Sequence, residues 1–150
     1  KDMKRFAPYI LLMLLLLLGI VLCACNDELD IRQDYSYRVE TLSLPKKLGN
    51  GESVALEFSI LREGNYSETS YKFRYFQSEG TGILTCKGQA VPVNRFQGIA
   101  SDGFVLTYQS TCEEQQQLDF VFENNFGRRV EYMITFTGKR TEEKTEESLP

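Results

Sequence analysis

The feature that most constrains this chain is a period of two. In residues 53–61, Val54, Leu56, Phe58 and Ile60 fall on one side and Ser53, Glu57 and Ser59 on the other, the alternation of a strand with one buried face. Similar runs recur at short intervals, separated by clusters of Gly, Asn, Ser and Pro, as in an all-β sandwich. Seven strands are expected. The first covers residues 35–44 and stops at Pro45, and the second is the run just described. In the third, Tyr71, Phe73 and Tyr75 oppose Lys72 and Arg74. Residues 78–82 read as a turn, after which 83–86 would pair back as a short fourth strand. Residues 87–103 are interrupted by Pro92, Gly98 and Gly103 and read as a long connection crossing between sheets. Phe104, Leu106 and Tyr108 mark the fifth strand, Leu118, Phe120 and Phe122 the sixth, and Val130, Tyr132, Ile134 and Phe136 the seventh. Asn124-Asn125-Phe126-Gly127 is a tight hairpin signal between the last two. The ten Phe and eight Tyr, with many Val, Ile and Thr, agree with strands.

The amino-terminal segment obeys a different rule. Lys4 and Arg5 precede an almost unbroken apolar stretch, residues 10–22, that ends at Leu22-Cys23-Ala24-Cys25. A charged region, an apolar region and small residues in that order are an export signal. Length alone would also allow a membrane-spanning helix. The ending favours processing, because Leu22-Cys23-Ala24-Cys25 resembles the bacterial lipobox, in which the final Cys is acylated and cleavage falls just before it. Cys25 fits better than Cys23, whose preceding residue is Leu22 rather than a small one. Signal cleavage is thus expected between Ala24 and Cys25, with lipidation at Cys25. Acyl chains anchor a soluble domain through about 0.8 kcal/mol per buried methylene.

The expected organisation is a signal peptide over 1–24, a lipidated tether over 25–34, a sandwich over 35–138 and a charged, disordered tail over 139–150. The tether is acidic through Asp27, Glu28 and Asp30, which resembles the surface-export signals of Bacteroides-type lipoproteins and equally suits a solvated linker.

Composition narrows the chemistry. Removing Lys1, Lys4, Arg5 and Asp2 with the leader leaves 14 positive and 20 negative residues, a net charge of about −6. No clustered basic face emerges, so direct nucleic-acid binding is not expected. The chain has no His, which excludes the commonest general base and metal ligand. Catalytic residues, metal ligands and a cofactor are all expected to be absent. Glu113-Glu114, beside Gln115-Gln116-Gln117, reads as a polar loop rather than a glycosidic acid pair. Cys86 and Cys112 are the candidates for a disulfide, since export would let one persist. Against pairing, each ends a strand in a different part of the sandwich, and a bridge demands Cα atoms within about 7 Å. Tyr66, Tyr71, Phe73, Tyr75 and Phe76 are a candidate binding patch, although an alternating aromatic strand is more often core.

Taken together, residues 42–48, Arg62-Glu63-Gly64-Asn65-Tyr66 with Tyr71-Lys72-Phe73-Arg74-Tyr75-Phe76-Gln77, residues 106–110 and above all residues 116–127 resemble the TraQ-type lipoproteins of Bacteroides-type conjugative transposons. The likeness extends over residues 25–138. In that family Asp usually stands at the position of Asn124, and Cys86 and Cys112 are peculiar to this chain. The resemblance implies an immunoglobulin-like β-sandwich on a lipid anchor in the outer membrane, facing periplasm or surface. Its implied role is that of a non-enzymatic accessory or assembly module of DNA transfer, meeting other conjugative transfer proteins and the membrane. The alternative is a surface adhesion or glycan-binding lipoprotein, which would show outward-facing aromatics along a groove.

Overall fold

The computed structural model describes residues 34–139, together with Tyr9, Leu12 and Met13, which are helical. The chain divides into two compact units, Lys1–Arg32 and Gln33–Pro150. The expected leader, the Ala24-Cys25 cleavage and lipid site, the tether ahead of Asp34 and the tail after Lys139 otherwise lie outside the described residues.

The second unit is the expected all-β sandwich. Its strands are β1 (Tyr37–Thr41), β2 (Lys47–Gly49), β3 (Ser53–Arg62), β4 (Tyr71–Glu79) and β5 (Gly82–Cys86), followed by β6 (Gln89–Ala90), β7 (Gln97–Ile99), β8 (Gly103–Ser110), β9 (Gln116–Asn124) and β10 (Arg129–Lys139). One sheet runs β1-β3-β8-β5-β6 and the other β2-β10-β9-β4-β7. Only two consecutive pairs, β5–β6 and β9–β10, share a sheet. Every other connection carries the chain across the sandwich, so the two layers are stitched together along their length.

Alternation fixes the inner faces. Leu56, Phe58 and Ile60 of β3 pack with Leu106 and Tyr108 of β8, against Phe73 and Tyr75 of β4, Leu118, Phe120 and Phe122 of β9, and Ile134 and Phe136 of β10. Phe58 is the hub, with its ring 5.0–5.9 Å from those of Phe104, Phe120, Phe122 and Tyr132. These separations are those of attractive edge and offset ring pairs, each contributing about 0.5–1.5 kcal/mol beyond burial.

Three strands exceed the seven expected, and all are very short. β2 forms inside the predicted 46–51 loop because Leu48 is drawn into the core and the segment pairs in parallel with β10. β6 follows a two-residue turn in which Lys87 and Gly88 both have positive φ, the geometry of a tight hairpin. β7 lies on β4 through Tyr71–Phe73, so the long connection does cross between sheets.

One sequence expectation is overturned. The fourth predicted strand does not pair back on the third: β5 pairs with β8 and β6, in the opposite sheet from β4. Both sides of β4 are already taken, one by β9 and the other by β7 and by the Asn94 amide donating to the Tyr75 carbonyl. The chain therefore leaves β4 at Gly80 and crosses over. Thr81 receives it on the far side, its carbonyl accepting the Thr111 amide at 3.0 Å. The crossing also needs a residue without a side chain at Gly82, where a Cβ would lie 2.3 Å from the buried Tyr108 ring.

Gly82→Ala should accordingly lower unfolding stability by about 1–3 kcal/mol, the usual cost of overpacking. Urea denaturation followed by circular dichroism measures this, and an unchanged midpoint would refute the close approach.

Candidate interaction surface

The predicted aromatic patch separates into two populations. Tyr71, Phe73 and Tyr75 are core residues, no more than 6% exposed. Phe76 points from the opposite face of β4, and Tyr66 lies in the β3–β4 loop with its ring 6.0 Å from that of Phe126. The sequence missed Phe96, which has no alternating neighbours to mark it. It is 37% exposed in the segment leading into β7.

Phe96 organises the outer face of the second sheet. The Lys72 ammonium lies 4.5 Å and the Arg74 guanidinium 4.8 Å from its ring centre. Arg74 also lies 5.4 Å from Phe76 and donates to the Asn94 side chain at 3.3 Å. Such cation–π contacts stabilise by about 0.5–1 kcal/mol at exposed sites. Beside them an open groove of about 630 Å³ is lined by Ser70, Lys72, Phe96, Gly98, Ile99 and Asn125, within the size range of ligand clefts. The groove answers the expectation attached to glycan binding in part: two aromatics line it, the buried Tyr71 and the exposed Phe96, with two cations against the Phe96 ring.

Next to Phe96, strand register places Lys72, Glu123 and Arg129 in one row across β4, β9 and β10. Glu123 accepts from Lys72 at 2.9 Å and Arg129 at 2.5 Å. These two hydrogen bonds hold its carboxyl below the usual carboxylate range. Glu52 is lowered in the same way, first by the Gly49 amide and then by Lys139. Both shifts run opposite to that of a carboxyl kept protonated as a general acid. Glu113 and Glu114 lie in an exposed loop. Among the described residues no group of Cys, Asp and Glu is placed to hold a metal ion.

The candidate disulfide is corrected. Cys86 and Cys112 are both free thiols, and the strand between them is the reason. The Cys112 sulfur sits at the start of β5, 3.2 Å from the Thr81 amide nitrogen, whereas Cys86 ends that strand. Five extended residues separate the two places by about 16 Å, well beyond the reach of a bridge.

Beside the row of Lys72, Glu123 and Arg129, at the end where the chain enters the sandwich, lies a second organised cluster. Arg128 grips Asp34 with two hydrogen bonds of 3.0 and 2.8 Å. Buried Asn124 gives its side-chain oxygen to the amides of Phe126 and Arg128, shaping the β9–β10 turn, and turns its amide nitrogen toward Asp34 at 3.5 Å.

Two measurements test these assignments. Both thiols should be titratable by a thiol reagent in the unfolded protein without prior reduction; recovery of thiols only after reduction would contradict the geometry. The depressed Glu123 carboxyl contributes stability that is present above its unfolded value and lost as pH falls through its lower folded value. Glu123→Gln should therefore flatten the acid limb of the stability curve below about pH 4.5, and an unchanged limb would dismiss the row.

The comparisons with known proteins agree with this architecture. The chain resembles a conjugative transposon lipoprotein of Bacteroides eggerthii at 30% identity and a TM-score of 0.64, covering 69% of this chain and 98% of that one. A lipoprotein of Bacteroides thetaiotaomicron matches at 33% identity and 0.64, over 82% and 95%. A conjugate transposon protein of Bacteroides vulgatus matches at 32% and 0.63, over 77% and 95%. No curated protein matches the chain. The TraQ conjugal transfer protein family matches residues 8–139, and the chain belongs to that family.

Proposed function

We propose that this protein is a lipid-anchored, non-enzymatic accessory of conjugative DNA transfer, held in the cell envelope through Cys25. The observation that carries the reading is the Leu22-Cys23-Ala24-Cys25 box standing ahead of a domain whose relatives are described as a conjugative transposon lipoprotein, a lipoprotein and a conjugate transposon protein. Anchoring is to the outer membrane, with the sandwich on the periplasmic or surface side. Other transfer proteins are its partners, and the face around Phe96, Lys72 and Arg74 is the surface offered to them. That face pairs an exposed Phe with an Arg, two residue types enriched in protein interfaces. DNA itself is not a ligand, since the domain is acidic overall and the cations on this face are held by a carboxylate or against rings, Lys72 and Arg129 by Glu123 and Arg74 by Phe76 and Phe96. An adhesion or glycan-binding role is the second reading, favoured by the groove beside Phe96.

Deleting the gene from the mobile element of a donor, then restoring either the unchanged copy or Cys25→Ala, separates these readings. Transfer frequency should recover only with the unchanged copy. The Cys25→Ala strain should stay lower by on the order of tenfold or more, because tethering is what raises local concentration. Undiminished transfer on deletion would sink the transfer role and favour ligand capture.

A further inference from the structure

The last residues before β1 are pinned to one end of the sandwich. Asp34 is gripped by Arg128 of the β9–β10 turn. The Tyr35 ring lies directly on Gly64, where an added Cβ would fall 2.1 Å from it. Ser36 accepts the Glu63 amide at its carbonyl, 3.0 Å away, and donates its hydroxyl to the Glu63 carboxylate. Consecutive residues thus contact two separate loops. All these partners sit at the end where β3 and β9 finish and β4 and β10 begin. The opposite end carries Asn50, Thr81 and Cys112, and β10, with 11 residues, spans about 35 Å between the two.

The surface of the pinned end suits a lipid boundary. Its cations are neutralised, Arg128 by Asp34 and Arg62 by Asp102. Glu63 and Glu68 are hydrogen-bonded by the Ser36 and Tyr66 hydroxyls, which satisfy their oxygens without cancelling their charge. What remains prominent is the ring pair of Tyr66 and Phe126, the latter 37% exposed. A Tyr favours the headgroup layer of a membrane, and a Phe beside it suits the boundary between headgroups and acyl chains.

From the pinning and this surface we infer that the sandwich stands end-on to the membrane, with the β9–β10 turn and the Tyr66–Phe126 pair toward the headgroups and the Asn50–Cys112 end outward. The inference rests on the lipid anchor proposed at Cys25. Nine residue steps from Cys25 to Asp34 reach at most about 30 Å, which is less than the length of the sandwich. A chain leaving from the pinned end therefore keeps that end nearer the lipid than the other.

The test uses the full chain, produced as the processed lipoprotein and reconstituted into phosphatidylethanolamine–phosphatidylglycerol vesicles carrying an acceptor dye on the lipid. In a Cys86→Ser, Cys112→Ser background, a donor dye is attached at Ser67→Cys on the pinned end or at Asn50→Cys on the other. Energy transfer to the lipid should be several-fold greater from Ser67→Cys than from Asn50→Cys. Adding Arg128→Ala, with cooperative unfolding checked, should shrink that difference while flotation with vesicles persists. Equal or reversed transfer in protein that floats overturns the orientation, and an undiminished difference in Arg128→Ala overturns the clamp as its cause. Protein that fails to float, with an unmodified mass at Cys25, instead removes the anchor reading itself and the inference with it.

Discussion

Phe58 stands where the two sheets meet, and the burial of its ring against four others makes the rest of the sandwich possible. Neither sheet can bury its inner face alone, because each presents a continuous apolar surface from edge to centre. Phe58 and Phe104 are partners across β3 and β8, while Phe120 and Phe122 rise from β9 in the opposing layer. The interlock fixes the relative shift of the two sheets, and a one-residue slip of any central strand would turn its aromatics to solvent. This explains why a chain that crosses between layers at nearly every connection still has one register.

Burial at the ends of the sandwich follows a different logic. There the chain must hide polar side chains, and most of their donors and acceptors find partners, although the side-chain oxygen of Gln116 is buried without one. Ser110 closes one end, exchanging backbone hydrogen bonds with Gly51 and Glu52 and donating its hydroxyl to the Cys112 carbonyl. Gln116 reaches the Leu48 carbonyl from the same end, which ties β2 to β9 through a side chain as well as through β10. At the other end Asn124 performs the same task for the β9–β10 turn. An Asp there would keep the oxygen for the Phe126 and Arg128 amides but would lose the amide group that faces Asp34. The Asn is thus matched to an aspartate that arrives from 90 residues earlier in the chain.

What the sequence reveals follows from how local each constraint is. The faces of β3, β4, β8 and β9 are legible because alternation is a property of a single strand. The β9–β10 turn is legible because Asn124 and Gly127 carry its chemistry within four residues, and Gly127 does take a positive φ. Partner choice for β5 was not legible, because it depends on β4 having both edges occupied, one of them by β7, whose three residues carry no periodicity. Phe96 was missed for the same reason. Its position over Lys72 and Arg74 exists only once β7 is laid on β4. The disulfide failed on geometry, since an exported context permits a bridge but only the length of β5 decides whether the sulfurs can meet.

The distribution of charge ties these levels to the domain's role. On the outer face of the second sheet the cations are spent on carboxylates and rings rather than left as a field: Lys72 and Arg129 converge on Glu123, and Arg74 lies against Phe76 and Phe96. A surface built in this way does not attract a polyanion from a distance. It suits short-range recognition instead, in which a partner must match the row of paired charges and the exposed ring together. The cations are held against neighbouring strands, so part of the ordering cost of binding has been met in folding. The core that sets the strand register thereby also sets the spacing of the groups that a partner would read.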